Sequence, residues 1–205
     1  MEYEIDVLDG GGSRIAVMSG LVRATLRETV NGVSVLTAET VEEKDWTGAE
    51  AGTGFLRLRE RDGAASTYRI IGTRLERTGE RRSATITARG ILADTMTEIF
   101  AGARDCIGMT PAGVIEVVLA HSRFGAGTVE PEEVIPWARF EYEPVWDCLL
   151  RICSLTGGEL ALDEESGVIG LLARAGSDRG ASLRYGLNLK GASRTVDISR
   201  LTNRV

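Results

Sequence analysis

Hydrophobic and polar residues alternate strictly at the start of the chain. From Glu2 to Leu8, Tyr3, Ile5 and Val7 fall on one side and Glu2, Glu4 and Asp6 on the other, the period-2 pattern of a half-buried strand. Asp9-Gly10-Gly11-Gly12 predicts a turn, and Arg14 to Met18 pairs back as a hairpin. Val22, Ala24, Leu26 and Glu28 continue the alternation towards Asn31-Gly32, a type I′ hairpin signal, with a return strand from Val33 to Thr37. Residues 42–54 are polar and glycine-rich and predict a loop anchored by Trp46. Beyond it, Phe55, Arg57 and Arg59 share one face of a strand and Leu56 and Leu58 the other. Asp62-Gly63 turns the chain. A long strand from Thr67 to Arg77 turns at Thr78-Gly79-Glu80 and returns through Ser83 to Arg89, with Ala84, Ile86 and Ala88 on one face. Strands at this spacing predict a barrel or sandwich.

The period changes at Gly90. Leu92, Met96 and Ile99 have helical spacing, so Ile91 to Phe100 is expected to form a short helix. Thr110-Pro111 starts a second helix, with Val114, Val117, Val118 and His121 on one face. Gly125 to Glu133 reads as a polar loop, and Phe140 and Tyr142 sit in a short strand. Pro144 opens another helix, striped by Val145, Cys148, Leu149, Ile152 and Leu155 and stopped at Gly157-Gly158. Glu159–Asp163 and Val168–Arg174 form a hairpin around residues 164–167, and Leu183 to Ile198 is again β. The predicted class is α+β and mainly antiparallel. It comprises a β domain over residues 1–90, an inserted α+β segment over 91–182 and a C-terminal stretch, 183–205, returning to the first domain.

Composition adds few constraints. Hydrophobic residues make up 43% and charged residues 26%, ordinary globular values, so most of the chain is expected to fold. The net charge of −6 argues against tight, specific binding to nucleic acid, which needs a basic stripe. The charged N-terminus carries no apolar run, so no secretory leader is expected, and no stretch is apolar enough to predict a membrane span. Cys106, Cys148 and Cys153 lack C-x-x-C spacing and read as small buried apolar residues in a reducing compartment. Among the tryptophans, Trp146 is expected in the core and Trp46 at an interface; Trp137 has no assigned place.

Candidates for chemistry are thin. His121, the only histidine, rules out multi-histidine metal sites and leaves one general base, with Ser122, Ser154 or Cys106 as conceivable nucleophiles but no recognisable elbow or cysteine-protease motif. Asp163-Glu164-Glu165 could hold a hard cation but lacks calcium-loop spacing and reads as a solvated hairpin tip; Glu130, Glu132 and Glu133 read as an exposed loop. Asp9-Gly10-Gly11-Gly12 lacks the lysine and glycine spacing that cradle phosphates. No catalytic, cofactor-binding or metal-binding residues are expected, and no cofactor.

The C-terminal third carries a resemblance. It includes Tyr185-Gly186, Asn188-Leu189-Lys190 and Asp197, within Leu183–Gly191 and Arg194–Ser199, followed by Leu201-Thr202-Asn203-Arg204-Val205. This resembles the N-terminal region of the phage tail-associated or baseplate-hub family, whose members look like "Y-G-x-N-L-K-x-I … D-x-S-x-L-x-T-R-x-Y". The chain departs from it at Ala192 and at Asn203. Upstream, Tyr68-Arg69-Ile70, Thr87-Ala88-Arg89-Gly90-Ile91-Leu92 and Thr110-Pro111 fit the layout of that family. Family members continue past the position of Val205, and hydrolase activity, where present, sits in appended domains.

The resemblance implies tail-tube-like β-barrels in a homo-oligomer, a trimer whose paired barrels match the sixfold tail tube above and the threefold tip below. It implies a ring through which DNA passes and partners among tail tube, distal tail, tape-measure and tip or spike proteins. The expected location is the virion tail, after assembly in the bacterial cytoplasm. An acidic lumen would let DNA slide, and the net charge of −6 is compatible with one. Two other readings stay open: a tail-tip peptidase or cell-wall hydrolase using His121, and a generic protein- or carbohydrate-binding β module.

Overall fold

The alternating segments of the first ninety residues become seven antiparallel strands of one sheet. They are β1 (Glu4–Leu8), β2 (Arg14–Val17), β3 (Leu21–Arg27), β4 (Val35–Val41), β5 (Phe55–Arg59), β6 (Ala65–Thr78) and β7 (Arg81–Gly90), in the spatial order β2-β1-β5-β6-β7-β4-β3. The computed structural model describes residues 3–41, 51–59, 65–78 and 81–176. Trp46, the turns at Asp62-Gly63 and Gly79-Glu80, and the stretch from Leu183 to Ile198 lie outside the described residues. The predicted barrel is observed as a curled half-barrel: among the described residues, β2 and β3 form its two edges and do not pair with each other.

Period-2 patterning decides which side of this sheet is dry. Ile5, Val7, Leu36, Leu56, Ile70 and Ile86 are buried on one face, together with Ala38 and Ala88. β1 is covered on both faces. Asp6 therefore has no exposure, and its carboxylate is neutralised by Arg59 at 2.5 Å and Arg14 at 3.5 Å.

Residues after Gly90 build a second core. A 3-10 helix, Ile91–Met96, leads to β8 (Ala103–Met109), α1 (Pro111–Leu119), β9 (Gly125–Val129), β10 (Ile135–Glu141), α2 (Val145–Thr156), β11 (Glu159–Asp163) and β12 (Val168–Leu172). β8 and β10 form an antiparallel ribbon. β12 lies between antiparallel β11 and parallel β9. Val114, Ile115 and Val118 of α1 and Cys148, Leu149 and Ile152 of α2 pack against Phe140, Ile169 and Leu171. The two cores belong to one compact unit ending at Ala175.

Both α-helices begin as their sequences predict. The Thr110 hydroxyl accepts from the Gly113 N–H, with Pro111 in the first turn. Pro144 precedes α2, Asp147 sits in its first turn, and Gly157 ends it at φ 69°. Gly157→Ala is expected to lower stability by about 1 kcal/mol, because a Cβ disfavours this left-handed backbone. A urea midpoint shift without a change in slope checks it.

Several expectations are corrected. The short helix expected over Ile91–Phe100 is a 3-10 helix that stops at Met96, and Ile99 is half-exposed in a bridge to Pro144. Leu155 is likewise half-exposed and His121 lies off the buried face of α1. Strand β8 occupies a stretch that carries no predicted element. The expected loop at Gly125–Glu133 contains β9, which runs so close to β12 that a Cβ on Gly170 would stand 2.8 Å from the Thr128 carbonyl oxygen. Asn31-Gly32 is not a two-residue hairpin turn. Arg27 pairs with Val35, so the connection spans residues 28–34, with Asn31 at φ 50° and the Gly32 N–H bonded to the Thr29 carbonyl.

Candidate functional site

The sequence candidates for catalysis are placed apart or occupied. His121 follows α1; its ring packs on Phe100 with centroids 4.4 Å apart, and its Nδ1 accepts from the Ala101 N–H at 3.4 Å. The Ser122 hydroxyl donates to Glu98 and accepts from the Phe124 N–H, so it serves as a loop brace. Cys106 is fully buried in the second core.

All three cysteines are free and buried. Burial pushes the Cys148 thiol up to about 12 and Cys153 up to about 11, so neither is a thiolate near neutral pH. A thiol reagent at pH 8 is expected to leave all three unmodified in the folded chain and to modify all three in denaturant. Labelling of the folded protein contradicts this placement.

The carboxylate clusters are likewise engaged. Asp163 caps its own turn, accepting from the Glu165 and Ser166 N–H groups and from the Ser166 hydroxyl, bonds that hold its carboxyl below the ordinary range. Glu130 accepts from the Ala173 N–H at 2.7 Å. Glu132 and Glu133 are exposed. Asp9 folds its glycine-rich turn by accepting from the Gly11 and Ser13 N–H groups. Among the described residues no group of three or more His, Cys, Asp or Glu side chains could hold a metal ion.

The expectation that Asp163-Glu164-Glu165 is only a solvated tip is corrected at Glu164. Its Oε2 accepts from the Thr67 N–H of β6 at 2.8 Å. β7 ends at Gly90, opposite Tyr68, so Thr67 lies beyond the end of that ladder. Burial raises the Glu164 carboxyl above its ordinary value, partly offset by the Thr67 bond.

Two further staples join the sheet to the second core. The Asn31 side chain donates to the Gly158 carbonyl at 3.1 Å and accepts from the Leu160 N–H at 2.8 Å, completing the edge of β11. Asp94 of the 3-10 helix takes a two-pronged bond from Arg69 of β6 at 2.9 and 2.8 Å, and Arg123 approaches the same carboxylate at 2.6 Å. The stapling roles of Asn31, read from sequence only as a turn residue, and of Asp94 are not legible locally, because their partners lie up to 129 residues away. Beside these staples is an open cleft of about 840 Å³, where Arg57, Arg59 and Arg123 face Glu164 and Glu165; His121 and the cysteines are not in its lining.

The most extensive arrangement is the polar face of the sheet. Across the register, Arg27, Val35, Arg89 and Arg69 form one rung and Arg23, Glu39, Thr85 and Arg74 another, with Thr25, Thr37 and Thr87 between them. Arg69 is held by Asp94 and Arg74 by Glu76, whereas Arg23, Arg27 and Arg89 make no ion pair with a described residue. Residues 1–90 are close to balance, with thirteen Lys and Arg against fourteen carboxylates, whereas residues 91–175 carry five arginines against fourteen carboxylates, a net of −9. On the second core, the β8–β10 ribbon exposes the cross-strand pair Ile107 and Trp137 at 70% and 58%; Trp146 is buried, as expected.

No protein-family model and no curated protein matches the sequence. Solved structures do match. A prophage tail protein, gp18, from Listeria monocytogenes EGD-e superposes with a TM-score of 0.67 at 12% identity, over 91% of this chain and 56% of that one. The tail protein from Neisseria meningitidis MC58 gives 0.63 at 15% identity, over 89% and 53%. The E. coli c3393 protein gives 0.52 at 10% identity, over 90% and 49%. It is described as a component of the type VI secretion system with structural similarity to T4 bacteriophage tail proteins gp27 and gp5. The chain spans about half the length of each of these proteins. Its half-barrel sheet and packed α+β body together make the fold of phage and prophage tail proteins.

Proposed function

We propose that the chain is a structural, non-enzymatic subunit of a phage or prophage tail. It works at the tail tip or baseplate hub as a ring adaptor between the tail tube and the tip or spike proteins, and DNA passes through the ring. Three copies make the ring, with tail tube, distal tail and tape-measure proteins as further neighbours, in the virion tail. The supporting observation is the fold shared with tail proteins over about nine-tenths of the chain. Among the described residues β2 and β3 are unpaired on their outer sides, which suits a subunit that is completed by neighbours.

Deletion and complementation test the reading. Removing the gene from its phage or prophage is expected to abolish infectious particles. A His121→Ala chain is expected to restore them, since His121 packs on Phe100 and accepts from the Ala101 N–H. Infectivity that depends on the imidazole, together with histidine-dependent cell-wall hydrolysis, would establish the enzymatic reading instead.

A further inference from the structure

We infer that the arginine–threonine face of the half-barrel sheet is a self-association surface, and that its occupant is the acidic α+β body of a second copy of this chain. The inference deepens the ring reading by naming the contact, and it rests on that reading only for closure into a ring.

Charge segregation carries the argument. Arg23 and Arg27 of β3 and Arg89 of β7 project from one face without an ion pair to a described residue, although Glu39 stands opposite Arg23, and they are interleaved with Thr25, Thr37 and Thr87. Guanidinium groups in such an array match carboxylates by paired N–H donation, and threonine hydroxyls fill the remaining bonds. The matching chemistry is in the same chain, on residues 91–175 with their net of −9. Within that body, exposed Glu132 and Glu133 lead through half-exposed Val134 into β10, where Trp137 and Ile107 stand side by side in solvent. A tryptophan four residues beyond two exposed carboxylates suits an arginine face twice over: the indole stacks on guanidinium planes, and the carboxylates accept hydrogen bonds from the guanidinium N–H groups. The two surfaces differ, so the contact is heterologous, and each copy offers one surface to either neighbour, the arrangement that generates rings. A phosphate backbone would also suit arginines and threonines, but only a protein surface uses the exposed tryptophan and the acidic excess as well.

Light scattering on the full chain tests it with two charge reversals, Arg23→Glu/Arg27→Glu/Arg89→Glu on the sheet and Glu132→Arg/Glu133→Arg on the body, each checked for native circular dichroism. The wild-type chain is expected to form an oligomer at low salt that falls to the 22.0 kDa single chain at high salt. Each variant alone stays a single chain, and a mixture of the two yields a 1:1 complex of twice the mass that cannot grow. A wild-type chain that is monomeric at every salt up to its solubility limit overturns the inference. So does an oligomer unaffected by either reversal, or a mixture that does not associate. Binding of a duplex DNA that only the arginine variant loses, without self-association, assigns the face to nucleic acid and also overturns it. Presence of the chain in purified tails is scored separately, so the tail reading and this contact stand or fall independently.

Discussion

Replacing Phe140 by alanine is expected to lower the stability of the chain by about 3–5 kcal/mol, the usual range for deleting a large aromatic from a closed core. Phe140 has no exposure and stands where three elements meet. It lies on the inner side of β10, opposite Arg104, and its ring packs against Phe100 with centroids 5.8 Å apart. The Arg151 guanidinium of α2 sits 5.4 Å from the ring centroid on the solvent side and hydrogen-bonds Glu143, so the roof of the site is fixed and cannot collapse into the space left by the ring. Urea unfolding with an unchanged slope checks the value. A loss below about 1 kcal/mol would mean that the ring is not packed in this way.

The second large effect is expected at Asp94. Alanine there removes the common acceptor of Arg69 and Arg123 and leaves two guanidinium groups facing each other. Charge-assisted hydrogen bonds in part-buried sites are worth about 1.5–3 kcal/mol each, reduced where one partner is half-exposed, as Arg123 is. A total of about 2–3 kcal/mol follows. The loss falls on the joint between sheet and body, so amide hydrogen exchange should quicken around β6 and the 3-10 helix while the centres of both cores keep their protection. Asp94→Asn, which keeps one acceptor oxygen, should lose less. Equal effects from the two substitutions would show that the carboxylate charge alone matters.

Legibility in the sequence follows the reach of each interaction. Strands β5 and β7 alternate cleanly because one face of each packs on the sheet core and the other faces polar surroundings; Leu56 and Leu58 against Phe55, Arg57 and Arg59 is such a case. α1 and α2 carry their stop and start signals within a few residues, at Thr110, Pro144 and Gly157. β8 gives no such signal. Its inner side carries Arg104, Cys106 and Gly108 and its outer side Asp105 and Ile107, so polar and apolar residues fall on both. β9 reads as loop because glycine is poor at forming strands; what makes it one is close parallel approach to Gly170, a contact that chain proximity cannot reveal. The staples at Asn31, Asp94 and Glu164 are hidden for the same reason. Each is an ordinary polar residue locally, and each acquires its role from a partner brought near by the fold. The net charge of −6 conceals most, since it sums −1 over residues 1–90, −9 over residues 91–175 and +4 over residues 176–205.

Electron cryo-microscopy of tails purified from the phage or prophage that encodes this chain tests the central claim most directly. The expected density is a ring of three copies at the distal end of the tail tube, each with the half-barrel sheet and the α+β body, the arginine–threonine face of one copy against the Trp137 side of the next. Tails that are complete and infectious without the chain would contradict it.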